Sequence, residues 1–200
     1  MIAIIDYKMG NLGSVRKALT HLHYDSVITS DPSVIAAASG VILPGVGAFG
    51  PAMKNIRAAG LDNVIKGIAE KGTPFLGICL GMQLLFDSSE ESESVKGLGI
   101  IHGRVLRFPS ERGLKVPQMG WNRLTKVTGS LLTEGDYVYF VHSFYCCPDN
   151  ESDCAAYTDY SVRYCSAVER GNIFATQFHP EKSGEAGLEI LNRFAGRTRQ

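Results

Sequence analysis

Four short apolar runs, each five or six residues long, recur through the first half of the chain and predict β-strands. They cover residues 2–7, 26–30, 40–45 and 74–79. After the first and the third of these runs, apolar side chains recur every three or four residues, which is the period of an α-helix: one helix is predicted after residue 11 and two between residues 49 and 68. Alternation of strand and helix predicts a parallel sheet with right-handed crossovers. Strands that are apolar throughout predict a sheet covered on both faces.

The second half of the chain changes to short strand-like segments with few helical periods, which predicts an added, mainly antiparallel section. The predicted strands cover residues 103–108, 116–127, 137–146, 154–160, 163–169 and 172–178. A helix is predicted over residues 81–86 and another over 183–197, while the polar residues 87–97 favour a flexible loop. The expected fold is an open, mainly parallel α/β sheet flanked by helices, in one domain over residues 1–200.

Composition and charge argue against several classes of protein. Twenty basic residues balance twenty acidic ones, so no overall field favours nucleic acid or anionic lipid. Asp6 and Lys8 interrupt the apolar start, which argues against a signal peptide. No apolar stretch approaches the roughly 18 residues of a membrane span. The five cysteines are odd in number and include no CxxC pair, which argues against both a disulfide framework and a zinc ribbon and favours a reducing cytoplasm.

Cys79 stands between Gly77 and Gly81, where the fourth predicted strand meets a predicted helix. Ligands of open α/β sheets bind beyond the carboxyl ends of the strands. Gly-Ile-Cys-Leu-Gly is a nucleophile-elbow pattern with sulfur in place of the hydroxyl oxygen. The following helix N-terminus would favour thiolate, the reactive form. The alternative is a small buried core residue, because free cysteine is among the most buried residue types.

A thiol nucleophile needs a base, and His179 is the best candidate among five histidines. It ends the predicted strand 172–178 and is followed by Pro180 and Glu181. Residues two apart in extended chain share a face, so Glu181 could orient the imidazole across a spacer stiffened by proline. A chance surface pair is the alternative. A zinc site that adds Cys79 has suitable ligand types but poor spacing, so no metal is expected.

The glycine-rich segment GVGAFG, residues 45–50, matches the dinucleotide pattern G-x-G-x-x-G. That pattern belongs after the first strand of its fold, with an acidic residue ending the next strand about twenty residues on. Here it follows the third strand and precedes two predicted helices. The segment is better interpreted as a turn that presents backbone N–H groups to a developing negative oxygen. A plain glycine-rich loop remains the alternative.

These motifs together resemble those of the class I (triad) glutamine amidotransferases. The matching stretches are PGVG (44–47), GICLGMQLLF (77–86) and FHPEKS (178–183). Within that family the chain is similar to the glutaminase subunits of imidazole glycerol phosphate synthases. That likeness rests on DYKMGN (6–11), PQMGWN (117–122), YFVHSF (139–144) and QFHPEKSG (177–184), so it covers nearly the whole chain. Lys8 and Gln118 depart from it, standing where the family often has glycine and histidine.

The resemblance implies that Cys79 attacks the side-chain amide of glutamine, with His179 as base and acid and Glu181 holding the ring. It implies an oxyanion hole formed by the backbone of three residues, Val46, Gly47 and Leu80. It implies glutamine contacts at Gln83, Glu91, Ser143 and Phe144. Neither a cofactor nor a metal is implied. Two other functions remain open: a glutaminase for anthranilate, guanylate or pyridoxal phosphate synthesis, and a redox-sensing cysteine protein of similar strand order.

The same resemblance implies a partner, a separate (β/α)₈-barrel cyclase subunit in a heterodimer. Ammonia would pass through that barrel, and the cyclase would form imidazole glycerol phosphate and aminoimidazole carboxamide ribonucleotide in histidine biosynthesis. The candidates for the contact surface are Met119, Trp121, Asn122 and Lys182. Aromatic anchors are enriched at interfaces. The alternatives are a core position for Trp121 and an ordinary exposed lysine at position 182.

Overall fold

The structure, a computed structural model, describes residues 1–109 and 114–199. Its first half contains β1 (Ile2–Ile5), α1 (Leu12–His21), β2 (Ser26–Thr29), α2 (Pro32–Ala36), β3 (Gly40–Gly45), α3 (Phe49–Ala58), α4 (Leu61–Lys71), β4 (Phe75–Cys79) and α5 (Leu80–Gln83). Its second half contains β5 (Ser88–Ser89), β6 (Gly103–Arg107), β7 (Gln118–Arg123), β8 (Tyr137–His142), β9 (Phe144–Pro148), β10 (Cys154–Asp159), β11 (Arg163–Arg170), β12 (Ile173–Thr176) and α6 (Gly184–Arg197).

The main sheet has the strand order β2-β1-β3-β4-β12-β11-β9-β6-β5, with β10 paired to β11. The first five strands in this order, β2, β1, β3, β4 and β12, run parallel to one another. The next neighbouring pairs, β12–β11, β11–β9 and β9–β6, are antiparallel. Strands β7 and β8 form a separate antiparallel hairpin. The predicted fold class, a mainly parallel sheet with an added antiparallel section, is confirmed.

Strand β12, near the end of the chain, lies beside β4 in parallel register, with Thr176 opposite Ile78. On the other side of β4, Gly45 of β3 lies opposite Cys79. The segments that follow β3, β4 and β12 therefore leave the sheet at the same edge. The sequence places residues 172–178 in a strand but does not show that this strand is the neighbour of β4.

The two faces of the parallel sheet carry separate hydrophobic clusters. Ala3 and Ile5 of β1 pack on the side of α3 and α4, whereas Ile2 and Ile4 pack on the side of α1 and α6. Each large apolar side chain buried in this way contributes about 1.5–3 kcal/mol. The sheet is thus covered on both sides, as its apolar strands predict. Among the described residues, no helix is long and apolar enough to cross a membrane.

The structure departs from the predicted elements around the fourth strand. The helix predicted over residues 81–86 is a single turn, Leu80–Gln83, because the chain then tightens with hydrogen bonds from Leu85 N to Met82 O and Phe86 N to Gln83 O. The predicted flexible loop 87–97 contains β5 and an ordered turn. The short helix α2 was not predicted, since five residues are too few to show a helical period.

A further departure lies in the segment 137–146, which the alternating aromatic pattern predicts as one strand. The structure divides it at Ser143 into β8 and β9, which belong to different sheets. Side chains on either side of the division can therefore point toward the edge where β3, β4 and β12 end. Periodicity does not reveal such a change of sheet, because both halves keep a strand-like pattern.

Lys8, one of the two departures from the family pattern, occupies a position whose backbone conformation favours glycine. Its backbone has φ 68°, in the left-handed region that glycine adopts without strain. A non-glycine residue in this conformation costs about 1–2 kcal/mol. The Lys8 N–H donates to Asp6 Oδ1 at 2.9 Å, which stabilises the turn locally. The position is thus one where glycine is favourable and lysine is tolerated.

Candidate active site

Cys79 occupies a strained turn at the end of β4. Its φ is 55° and its ψ is −109°, an unfavourable combination for a residue with a side chain. A Cβ at Gly81 would overlap the Leu43 carbonyl oxygen, and one at Gly77 would lie 2.9 Å from the Gly81 carbonyl oxygen. Both glycines are therefore required for the close approach of β3, β4 and the turn. The sequence prediction of an elbow agrees with this geometry.

The helix after Cys79 provides less electrostatic support than the sequence suggests. Helix α5 is one turn long, so it carries only a small aligned dipole. Cys79 is 6% exposed, and its sulfur lies 3.7 Å from the side-chain nitrogen of Gln177 and 4.0 Å from the Val141 carbonyl oxygen. Stabilisation of a thiolate here depends on neighbouring side chains more than on the helix.

His179 and Glu181 form a buried pair behind this turn. The His179 Nδ1 and Glu181 Oε1 atoms are 2.8 Å apart, and the two side chains are 2% and 1% exposed. Strand β12 ends at Thr176, and residues Pro180–Lys182 form a 3₁₀ turn. The sequence analysis predicts that His179 and Glu181 share a face of an extended chain, and that conformation is wrong. The two side chains do meet, but a 3₁₀ turn brings them together. The His179 N–H donates to the Tyr139 carbonyl at 3.0 Å, which fixes the backbone.

The ring of His179 is held in its charged form. Burial works to lower its pKa, but interactions with Cys79 and with Glu181 outweigh burial and raise the pKa to about 9. Cys79 raises this pKa first through a hydrogen-bonding interaction and then through attraction between charges, although Nε2 has no partner at ordinary hydrogen-bond distance within the described residues. The raised pKa of His179 thus depends on both Cys79 and Glu181.

A single pocket gathers most of the predicted residues. It is lined by Val46, Gly47, Cys79, Leu80, Gln83, Glu91, Ser143, Phe144 and His179. Pro117, Val141 and His142 also line it, and the sequence did not indicate them as site residues. Segments from β3, β4, β8 and β12 meet here because the three parallel strands end at one edge and the β8–β9 junction covers it.

Glu91 is the acidic group on the wall of this pocket. It is half-buried, and its Oε2 accepts from the Phe49 N–H at 2.7 Å, at the first residue of α3. A carboxylate is favourable at a helix N-terminus, so this bond holds the segment that the sequence predicts as flexible. Glu91 thereby presents a fixed negative charge to the pocket.

The turn after β3 rests on the segment that follows β1. Gly47 has φ 98°, and a Cβ there would lie 2.8 Å from the Met9 side chain. The Tyr7 hydroxyl lies against Gly45 and has no hydrogen-bond partner within the described residues. Burial, and then the charge of Cys79, raise the pKa of Tyr7, so its hydroxyl stays neutral. The conformation of the turn thus depends on residues 7–9 as well as on its own glycines.

His142 is a second buried histidine with the opposite electrostatics. Burial and, to a smaller extent, the nearby His179 lower its pKa to about 4. The hydrogen bond from Nδ1 to the Phe144 carbonyl, at 2.7 Å, opposes this shift. The Tyr164 hydroxyl lies 3.3 Å from His142 Nε2 and 3.0 Å from Gln118 Oε1. The second family departure, Gln118, is therefore a buried member of this network.

The four residues predicted to contact a partner do not share one surface. Met119 and Trp121 are 65% and 56% exposed on one face of the β7–β8 hairpin. Asn122 alternates to the other face, where its side chain donates to the Asp159 carbonyl at 2.9 Å. Lys182 is exposed, directly after Glu181. Met119, Trp121 and Lys182 are therefore available to a partner, and the Asn122 side chain is engaged within the chain.

Comparison with known proteins gives concordant results. The family model for glutamine amidotransferase class-I matches residues 3–197. Imidazole glycerol phosphate synthase subunit HisH of Methanothermobacter thermautotrophicus is 52% identical over 97% of both chains. The same subunit of Geobacillus thermodenitrificans is 50% identical over 98% of this chain and 95% of its own. A crystal structure of glutamine amidotransferase, 18% identical, covers 98% of this chain and 100% of its own with TM-score 0.78.

The charge on His179 can be measured directly by NMR titration of its ring protons. We expect a midpoint at about pH 9 in the wild-type chain and lower midpoints in Cys79→Ser and in Glu181→Gln, because each change removes a negative partner. The raised pKa stabilises the fold fully below pH 6.5 and no longer does so once the pH rises through 9. A wild-type midpoint near 6.5 would contradict the assignment of an ion pair.

Proposed function

The chain belongs to the glutamine amidotransferase class-I family, and from this we propose that it is the glutaminase subunit of an imidazole glycerol phosphate synthase. The enzyme hydrolyses glutamine to glutamate and ammonia. Relatives with that subunit name are about half identical over nearly the full length of the chain. The observation that carries the proposal is the convergence of Cys79, His179 and Glu181 at the ends of β4 and β12. Residues 1–200 would form one amidotransferase domain.

In the first half-reaction, the Cys79 thiolate attacks the carboxamide carbon of glutamine. A C–S bond forms and the carbonyl electrons move onto oxygen, where the backbone N–H groups of the turn at Val46–Gly47 and of Leu80 would stabilise the negative charge. The C–N bond then breaks as His179 gives its Nε2 proton to the leaving nitrogen. Ammonia departs and a glutamyl thioester remains on Cys79.

In the second half-reaction, water attacks the thioester while His179 Nε2 accepts its proton. The C–S bond breaks, glutamate leaves, and Cys79 returns as thiolate beside the imidazolium. Glu181 holds the ring through Nδ1 and stabilises its charge in both halves, as the orienting acid of a catalytic triad does. Nε2, which has no hydrogen-bond partner in the described part of the chain, faces the pocket, where it can serve both steps.

The rest of the pocket suits the amino-acid end of glutamine. The fixed carboxylate of Glu91 complements an α-ammonium group. The backbone of Ser143 and Phe144, at the junction of β8 and β9, would receive the α-carboxylate. Gln83 also lines the pocket, although its side-chain nitrogen already donates to the Phe144 carbonyl at 3.1 Å. We therefore assign Gln83 to the shape and order of the pocket as well as to substrate contact.

The outer face of the β7–β8 hairpin is the proposed contact surface for the cyclase subunit, a (β/α)₈ barrel. Met119 and Trp121 are paired with Val141 and Tyr139 across the hairpin, and the Trp121 and Tyr139 rings pack edge to face at 6.1 Å. Val141 also lines the pocket, and Tyr139 holds the His179 backbone. A partner on this face would sit beside the sulfur, close enough to collect ammonia.

The division of labour can be tested with Cys79→Ala in complex with the cyclase subunit. We expect no product from glutamine, because the nucleophile is absent. We expect product when ammonium is supplied at a pH that provides free ammonia, since the cyclase consumes ammonia without Cys79. A product assay with each nitrogen source measures both results. Synthesis from glutamine by the Cys79→Ala complex would disprove the glutaminase assignment.

The contact surface can be tested separately with Trp121→Ala. Removal of an exposed aromatic anchor should weaken cyclase binding by about 2 kcal/mol, or roughly thirtyfold in Kd. Lys66→Ala, an exposed change on α4 outside the hairpin, should leave Kd unchanged. A binding titration gives both values. Equal affinity of the Trp121→Ala and wild-type chains would place the partner on another face.

A further inference from the structure

Gln177 is a buried amide in contact with the nucleophile. It follows β12 and lies two residues before His179, and it is completely shielded from solvent. Its Nε2 lies 3.7 Å from the Cys79 sulfur, and its Oε1 accepts from Gln83 Nε2 at 3.1 Å. Its backbone N–H donates to the Ser166 carbonyl at 2.9 Å, so the residue is fixed at both ends.

The Phe144 carbonyl fixes which end of the Gln177 amide is nitrogen and which is oxygen, because a backbone carbonyl cannot exchange its acceptor for a donor. The Phe144 carbonyl can only accept hydrogen bonds, so the Gln83 atom 3.1 Å from it must be the nitrogen. That nitrogen also faces Gln177, which therefore presents its oxygen. The Gln177 nitrogen is then left to face Cys79. His142 Nδ1 approaches the same carbonyl at 2.7 Å, which occupies its second acceptor position.

The environment of the sulfur shows why this donor matters. Cys79 is nearly buried, so a thiolate there loses most of its hydration. The helix that follows is one turn long, and His179 Nε2 interacts with Cys79 without a hydrogen bond of ordinary geometry among the described residues. Among the described residues, the Gln177 side chain is the one that donates a hydrogen bond to the sulfur. A hydrogen bond to the charged form of a group favours that form.

We infer that Gln177 is a catalytic residue of glutamine hydrolysis, whose side-chain nitrogen donates to the Cys79 thiolate and holds it for attack. Gln83 acts through Gln177 as a positioning residue, because its side-chain nitrogen donates both to the amide oxygen of Gln177 and to the Phe144 carbonyl. The catalytic part of this inference rests on the proposed function. The interaction with the sulfur does not, because it exists before glutamine binds.

The test is the pH dependence of Cys79 alkylation by iodoacetamide, followed by mass spectrometry of the Cys79 peptide. Gln177→Glu places a negative charge where the donor was, and Gln177→Met removes the donor at similar length. We expect the alkylation midpoint to rise by about one pH unit or more in Gln177→Glu, which is about tenfold slower alkylation at neutral pH. Gln177→Met should shift it in the same direction by less.

Two controls accompany this experiment. The exposed Cys147 is an internal standard in each chain and should react at the wild-type rate. Cys146→Ser is the matched variant: its sulfur lies 4.0 Å from Gln177 Oε1, so the change alters the packing of the amide but not its donor. We expect Cys146→Ser to retain the wild-type Cys79 midpoint. A shift as large as that of Gln177→Glu would show that packing alone moves the midpoint and would overturn the inference.

The wild-type alkylation profile in folded Gln177→Glu and Gln177→Met chains would overturn the inference outright. If neither variant folds, Gln83→Met decides, because it leaves Gln177 in place but releases its oxygen. A raised midpoint then supports the inference and an unchanged midpoint overturns it. If the midpoints shift as expected but wild-type protein with the cyclase subunit does not hydrolyse glutamine, the proposed function fails while the interaction with the sulfur stands.

Discussion

The parallel pairing of β4 with β12 is the constraint on which the site depends. It joins residues about a hundred positions apart, with Thr176 opposite Ile78, and it directs the segments after both strands to one edge. The nucleophile turn follows one strand and the His179–Glu181 turn follows the other. A shift of register by one residue would exchange the faces of β12 and move its buried side chains toward the opposite layer. The close packing of Gly77 and Gly81 resists any displacement of the turn itself.

Burial works to lower the pKa of two histidines, and the groups around each ring decide the result. Among residues 1–109 and 114–199 His142 has no acidic partner, and burial lowers its pKa to about 4, so it remains neutral and can donate from Nδ1. His179 is also buried, but Glu181 and Cys79 raise its pKa to about 9. One environment therefore supplies a neutral structural imidazole and a charged reactive one. Environments that push the pKa values of neighbouring groups apart mark the acid and base of an active site.

The sequence predicts most of the fold because its strands are apolar on both faces and its helices have clear periods. It predicts Cys79 because two flanking glycines are needed at a tight turn, and it predicts His179 with Glu181 because their spacing is short. It does not predict the distances between strands in space. The sheet order depends on which strand pairs with the free side of β4, and the periodicity of the sequence does not indicate that this strand is β12.

Gln177 and His142 illustrate the remaining gap. Glutamine two residues before His179 gives no local indication of a bond to a sulfur about a hundred residues away, and the orientation of its amide depends on the Phe144 carbonyl. His142 lies in an alternating aromatic segment that resembles a single strand. Its hydrogen bond to the Phe144 carbonyl forms where that segment is divided between two sheets, so the sequence pattern does not predict it. Long-range hydrogen bonds of this kind require the tertiary structure.

The central claim is that Cys79 is the nucleophile that attacks glutamine in this pocket. The most direct measurement is the site of modification by a glutamine analogue that carries a diazoketone in place of the carboxamide, applied to the complex with the cyclase subunit. Peptide mass spectrometry should find one adduct, on Cys79, with free glutamine protecting against it and the exposed Cys147 unmodified. An unmodified Cys79, or an adduct that glutamine does not prevent, would contradict the account.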